Sequence, residues 1–442
     1  MKRILAAALS CVLLAGSAVG FAACTNEDDQ LRDAADVTIT FWNPITGPDA
    51  KYMQDLVSQF NTANEGSIYV EADAQAEANH YQRILTSFTD NSTADLCLIH
   101  KSRISSYQRQ GKLRDMTQLL ADQGIVSEDY VGDNWQACEI DGKMYAAPFD
   151  VLPTVLFYNR KLIPDGYTEQ DILSDDFTLD RMIEMMKAAY VDSPVSSRKV
   201  YGMAFNYSYT EPMFLSFLNQ QGETAVSADA PTQPTFATQA GYAAAEGVRK
   251  MPMATTDGGQ KVCSESGADH LNIFAQGRAL FTIDGIWSAP DACEKSDKVD
   301  AGVALLPKLN DTVQSRKVAG DGHCFAMFTN GNSSSERDAA IAKFMKYLID
   351  NSGVWCQGGK VAARSDIAED ASYQTLEWAY LSDALTEIVS PVKVYTYDTV
   401  IEPIGKYVAR LCEEAIKGET TTDVKKAIDD AANEARQAAE AL

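Results

Sequence analysis

Asp141-Gly142-Lys143-Met144-Tyr145-Ala146-Ala147-Pro148-Phe149-Asp150-Val151-Leu152-Pro153-Thr154-Val155-Leu156-Phe157-Tyr158-Asn159-Arg160 is the stretch on which the organisation of this chain turns. Asp141-Gly142 reads as a tight turn, and Val155 to Tyr158 as a short apolar run suited to a buried strand. Pro148 and Pro153 stiffen the backbone between them and hold the preceding residues extended. The segment therefore reads as a crossing between two lobes. Asp150, on extended backbone between the prolines, has a carboxylate placed to face a cleft rather than either interior, a solvated loop being the plainer alternative.

A chain of 442 residues exceeds what one core supports, so two or three domains are expected. Lys2 and Arg3, the apolar run Ile4 to Ala18 and the small residues before Cys24 have the order of an export signal over residues 1–23. Phe21-Ala22-Ala23-Cys24 resembles a bacterial lipobox, which makes Cys24 the lipidated first residue; an ordinary signal cut near Ala23 is the alternative. Residues 24–36, with Glu27, Asp28, Asp29, Asp33 and Asp36, read as an acidic, solvated tether. A single acyl chain then holds the protein at the outer face of the membrane without a spanning segment. Without the signal, 36 cations face 62 anions, a net charge of −26. Such a surface repels nucleic acid and anionic headgroups. Beyond Cys11 and Cys24, seven widely spaced cysteines form no disulfide framework, with Cys263 and Cys293 the one candidate pair.

Val37 to Trp42 alternates as a strand, a helix follows from about Asp49, and Ser67 to Glu71 is the next strand. After a helix from His80 to Phe88, Ala94 to Ile99 is a buried strand ending in His100-Lys101-Ser102-Arg103. Polar residues just beyond the carboxyl end of a strand are where open α/β sheets bind ligands. Later elements are a helix over Phe177 to Tyr190 opened by Thr178, a strand over Tyr201 to Phe205, a helix over Met213 to Leu218, and a strand from Ala279 to Ile283 that ends before Gly285-Ile286-Trp287. Val303 to Pro307 is read as a second crossing, and Gly320-Asp321-Gly322-His323 as a turn feeding a strand. Ala339 to Ile349, Leu376 to Val389, Ile401 to Ile416 and Thr422 to Leu442 are expected helices, with Gly358 to Arg364 a loop.

No phosphate-loop, dinucleotide, zincin, Cys-x-x-Cys or nucleophile-elbow string occurs, and the four histidines lack metal-ligand spacing, so no cofactor or metal is expected. Two carboxylates suffice for a glycosidase, so an enzyme stays open, with Asp150 and Glu211 as its acidic pair. Trp42, His80, Lys101, Arg103, Asp150, Tyr207, Glu211, Trp287, Asp321, His323, Arg364 and Tyr397 mix flat aromatics with hydrogen-bonding groups. Sugars want that mixture, since their C–H faces stack on rings while hydroxyls need fixed donors and acceptors. Each also has a bland reading: Trp42 and Trp287 as core, Arg364 as a surface charge, Lys101 and Arg103 as a solvated helix start, Tyr207 and Tyr397 as loop staples.

Taken in order, Ile39-Thr40-Phe41-Trp42, Phe60-Asn61, Ala94-Asp95-Leu96 with Gly111-Lys112-Leu113, Asp141 to Pro148 with Tyr158-Asn159, Phe274 to Ala279 with Gly285-Ile286-Trp287, and Leu306-Pro307 resemble family 1 extracellular solute-binding proteins of ABC importers, the group that includes the maltodextrin binders. The resemblance implies a two-lobe periplasmic-binding-protein fold of type II, a hinged trap in which each lobe is a mostly parallel sheet flanked by helices. It divides the chain into residues 37–148 with 302–350, and 149–301 with 351–442. It implies ligand contacts at Asn43, Thr46, Ser102, Arg103, Asp150, Glu211 and Trp287, with Gly320 to His323 as a ligand loop and Tyr395 or Tyr397 contributing from the loop before the late helix. Ile99 and Met213 stand where maltodextrin binders carry aromatics, which favours a shorter or different sugar. Lys101, Arg103 and Arg364 would admit a phosphate or uronate. The expectation is a monomeric, non-catalytic sugar-capturing lipoprotein serving membrane permease subunits; the alternatives are the carboxylate-pair enzyme and a sensor for a membrane kinase.

Overall fold

The computed structural model describes residues 22–264, 269–294 and 296–442. The export signal over residues 1–23 lies outside these but for its last two residues, and so does the side chain of Cys24. The segment expected as a tether is helical over Ala22–Ala34, with Asp28, Asp29 and Asp33 exposed. No described helix is long and apolar enough to cross a membrane.

One sheet runs in the order Ile68–Ala74, Val37–Asn43, Leu96–His100, His323–Ala326, Ala147–Pro148. Its first three strands are parallel. The helix Ala50–Ala63 joins the first two, burying Met53, Leu56, Val57 and Phe60 at helical spacing. In the second sheet, Asp150–Asn159 is a spine buried at every position. It pairs antiparallel with Ala279–Gly285, Ala301–Ala304, Val318–Asp321 and Val361–Ala362. Elements cover both faces of the spine, so its sequence is a continuous apolar run rather than an alternating one. Both sheets keep parallel pairs at outer strands and take antiparallel ones where crossing strands enter.

Two expectations about the course of the chain need correction. The strands Ala301–Ala304 and Val318–Asp321 belong to the second sheet: Ala304 and Val303 lie opposite Leu156 and Phe157, and the chain returns to the first sheet only at His323. The second crossing is therefore Gly322, not Val303 to Pro307. Leu376 to Val389 is a series of 3-10 turns, Ala379–Ser382 and Leu385–Glu387, ending in the strand Ile388–Val389. Side chains fix those turns against neighbouring backbone, Trp378 Nε1 donating to the Lys360 carbonyl at 3.1 Å and Tyr380 to that of Val303 at 3.1 Å. Of the alternatives open for Cys263 and Cys293, the free thiols hold: Cys263 is buried and donates to the Met251 carbonyl.

The crossings meet at Asp150, which is fully buried and does not face the cleft. Its Oδ1 accepts from the His323 backbone N–H at 2.6 Å, and its Oδ2 lies 2.8 Å from His323 Nδ1 and 2.7 Å from Trp355 Nε1. Lys101 Nζ donates to the Asp150 carbonyl at 2.9 Å and to Asn134 Oδ1 at 2.6 Å. Burial alone would raise this carboxyl, but the His323 imidazole and Lys360 ammonium facing it hold it well below the usual carboxylate range. Gly322 is required by close approach, since a Cβ there would run into the Asp150 carbonyl and the Lys101 ammonium.

Asp150→Asn removes the charge and turns an amide N–H toward one of these donors. The expected loss of stability in urea unfolding is about 2–4 kcal/mol; a loss below about 0.5 kcal/mol, the range of an ordinary surface change, would mean the donors do not depend on the carboxylate.

Candidate functional site

Between the two sheets lies a cavity of about 400 Å³. The first lobe contributes Glu77 from the first turn of the helix Glu77–Ser87, and His100, Ser102 and Arg103 from the end of the strand Leu96–His100. That strand ends and a 3-10 turn, Lys101–Arg103, begins at the sheet edge, so consecutive side chains fan out above it. Tyr81 fixes the group: its hydroxyl accepts from the His100 backbone N–H at 2.9 Å, lies 2.5 Å from His100 Nδ1, and its ring sits 4.5 Å from the Arg103 guanidinium.

The second lobe contributes Tyr209 and Glu211 at the start of the helix Thr210–Gln220, Trp287 after the strand Ala279–Gly285, and Gly320 and Asp321 at the crossing. Tyr397, Asp398 and Ile401 come from the helix Tyr397–Ile416. Leu152, Thr154 and Leu215 form part of the wall. Trp287 is 39% exposed, and its ring meets that of Tyr209 edge to face at 6.0 Å. The indole lies across Gly285, where a Cβ would collide with it. Direct contacts span the lobes beside the cavity: Arg103 pairs with Asp398 at 3.0 Å, Arg109 stacks on Tyr395 at 3.8 Å, and Lys393 donates to the Gln136 and Glu139 carbonyls at 2.8 and 3.0 Å.

The electrostatics are dominated by carboxylates. Among the described residues, Glu77, Glu211, Asp321 and Asp398 line the cavity with one guanidinium, Arg103, while burial and the neighbouring His323 push the His100 imidazole down. Burial, then Asp398 and Glu402, push Glu211 up to about 8. Burial likewise raises Asp398 to about 6, opposed by Arg103 and reinforced by Asp321 and Glu77. Among the described residues no group of His, Cys, Asp and Glu is arranged to hold a metal.

Of the residues singled out in the sequence, the cavity gathers Ser102, Arg103, Glu211, Trp287, Gly320, Asp321 and Tyr397. The others lie elsewhere. Trp42 is buried beneath the Arg83 guanidinium, 3.7 Å from its ring, on the edge of a separate surface depression. Asn43 is buried and accepts from the Ile45 N–H at 3.1 Å, while Thr46 is exposed in the turn beyond it. His80 is a core histidine 3.0 Å from the Leu98 carbonyl, and burial pushes it down to about 4. Lys101, Asp150 and His323 form the knot between the lobes. Tyr207 packs edge-on against Phe205, and Arg364 pairs with Asp366 at 2.8 Å and Asp129 at 3.5 Å.

His100 belongs to the polar strand end already read as a ligand edge, whereas Glu77, Tyr209 and Asp398 were missed. Tyr209 and Asp398 each adjoin a chosen stretch, and the 3-10 turn Tyr207–Tyr209 decides which of two tyrosines meets Trp287. Sequence carries no sign of that rotation.

A family model described as bacterial extracellular solute-binding protein matches residues 55–377. The diacetylchitobiose binding protein DasA of Streptomyces coelicolor is 28% identical over 187 residues, 41% of this chain and 42% of that protein, so the match spans under half of the relative. The sugar-binding protein MalE of Xanthomonas citri superposes with a TM-score of 0.73 at 19% identity, covering 92% of this chain and 98% of that one. The maltose/maltodextrin-binding domain MalE of Bdellovibrio bacteriovorus, bound to maltotriose, gives 0.70 at 20% identity, covering 92% and 99%. These two likenesses are of fold.

Glu211 keeps its proton in the folded protein over the interval from its ordinary 4.5 to about 8, where the unfolded chain has released it. That contribution to stability is complete below the lower value and is lost as pH rises through the upper one. The melting temperature of the unliganded protein should fall from about pH 5 to about pH 8.5, and Glu211→Gln should flatten the fall. Coincident curves for the two proteins would show that Glu211 does not face the carboxylates of the helix Tyr397–Ile416.

Proposed function

This chain belongs to the bacterial extracellular solute-binding family, and we propose that it is the sugar-capturing component of an ABC importer, held outside the cell membrane by a lipid on Cys24. The observation that carries this reading is the exposed Trp287 ring, braced by Tyr209, in a two-lobe cleft otherwise rimmed by charged hydrogen-bonding groups. An exposed tryptophan offers a flat face to sugar C–H groups, and the surrounding carboxylates accept from hydroxyls. The relatives, named as binders of diacetylchitobiose and of maltose or maltodextrin, support the same ligand class. A cavity of about 400 Å³ is near the small end of ligand sites and fits a short sugar rather than a long chain.

Mechanistically, ligand contacts divide between the lobes, so they are complete only when the cleft is shut. The sugar therefore shifts the population toward the closed form, in which Arg103 meets Asp398, and permease subunits read that shape. Moving a mostly open protein to mostly closed takes roughly 5 kcal/mol of preference between the states. We assign the protein no catalysis. The acidic pair of the rival enzyme reading would include Asp150, whose carboxylate is buried and bonded by His323 and Trp355.

A thermal-shift screen over mono- and oligosaccharides, uronates and glycerol phosphodiesters, with chromatography for new reducing ends, tests this. Stabilisation without product is expected; product formation would contradict it. Trp287→Ala should abolish the shift while moving the unliganded melt by no more than about 2 °C. A collapse of the unliganded melt would make Trp287 a packing residue.

A further inference from the structure

We infer that the cleft is built for a sugar bearing a protonated amine, a hexosamine or a short glucosamine oligomer, whose ammonium is received by the carboxylates of Glu211, Asp398 and Asp321 while its ring lies against Trp287. This rests on the sugar-binding reading and narrows it. Four carboxylates line the cavity against one guanidinium, and that guanidinium is already committed to Asp398 at 3.0 Å. Glu211 sits on the cavity wall and accepts no hydrogen bond from any described residue. Every other charge facing it is an acid: Asp398 and Glu402 on the helix Tyr397–Ile416. Tyr209 and Tyr397, which adjoin it, are neutral phenols whose ionisation burial suppresses.

A neutral sugar entering this cleft excludes water from Asp321, Asp398 and Glu77 and leaves Glu211 protonated beside them. An ammonium offsets that excess of acid, with three donors for Glu211 and for the oxygens of Asp398 and Asp321 not already taken by Arg103 and the Gly322 N–H. The proton balance follows: in the empty cleft Glu211 holds a proton at neutral pH, and binding a cation lets it ionise, so that proton passes to the buffer while the amine keeps its own. A neutral ligand provides no such release.

The test is titration calorimetry on the intact mature protein with the β-1,4-linked glucosamine dimer, its N,N′-diacetyl form and cellobiose, at about pH 6.5 where an amine is protonated. Two buffers of different ionisation enthalpy are used. The amine dimer should bind at least about tenfold tighter than the other two, with net proton release and with affinity that falls as salt rises. Glu211→Gln should bring that preference toward one and remove the proton release. Equal or tighter binding of the acetylated dimer or cellobiose overturns this inference and leaves the sugar reading standing. If none of the three binds, this inference falls, and the sugar reading is decided separately by the wider thermal-shift screen.

Discussion

A buried negative charge holds this molecule together. Asp150 sits with no solvent access where the first crossing enters the second sheet, and it accepts hydrogen bonds from the second crossing through His323 and from the following passage through Trp355. A carboxylate taken out of water is costly unless every lone pair is met, and here the surrounding donors meet them. The knot ties three chain passages to one point. In the closure proposed above the pivot lies near it, because stretching any of these bonds would strand a buried charge. Gly322 lets the strands approach closely enough to form the knot.

A pivot at the rear of the cleft dictates what happens at its mouth. At the mouth, residues from the end of the strand Leu96–His100 meet the helix Tyr397–Ile416 and the loop before it, Arg103 with Asp398 and Arg109 with Tyr395. Glu77 and Asp321 act on Asp398 across the same gap, so an empty, closed cleft sets like charges against one favourable pair. Closure without ligand is thereby opposed, and a ligand that offsets the acidic excess has the leverage to drive it.

Much of the scaffold was legible from residues 37 onward. Asp141 and Gly142 both adopt positive φ, as an Asp-Gly hairpin demands, and Thr178 caps the helix Leu179–Ala189. Val155 to Tyr158 marked the spine because an apolar run bounded by turns has few other uses. The failures have a common cause in long-range context. Local pattern cannot say that Val303 and Ala304 will find Phe157 and Leu156 in the second sheet, or that Trp378 and Tyr380 will be fixed as turns by distant carbonyls. At the cleft, residues after strand ends were found when adjacency sufficed, as at Ser102, Arg103, Glu211 and Trp287. Asp150, Lys101 and His323 were misassigned because a polar residue at a crossing looks the same in sequence whether it faces ligand or its own neighbours. Trp42 was misassigned because nothing local shows that Arg83 will cover it.

The central claim is that two lobes pivot at the Asp150 knot and shut on a sugar. The most direct measurement is the distance distribution between spin labels at exposed Asp90 in the first lobe and exposed Asp229 in the second, with and without saturating sugar. The account predicts a broad, longer distribution in the free protein that becomes shorter and narrow with ligand. An identical distribution in both states, with the sugar demonstrably bound, would contradict it.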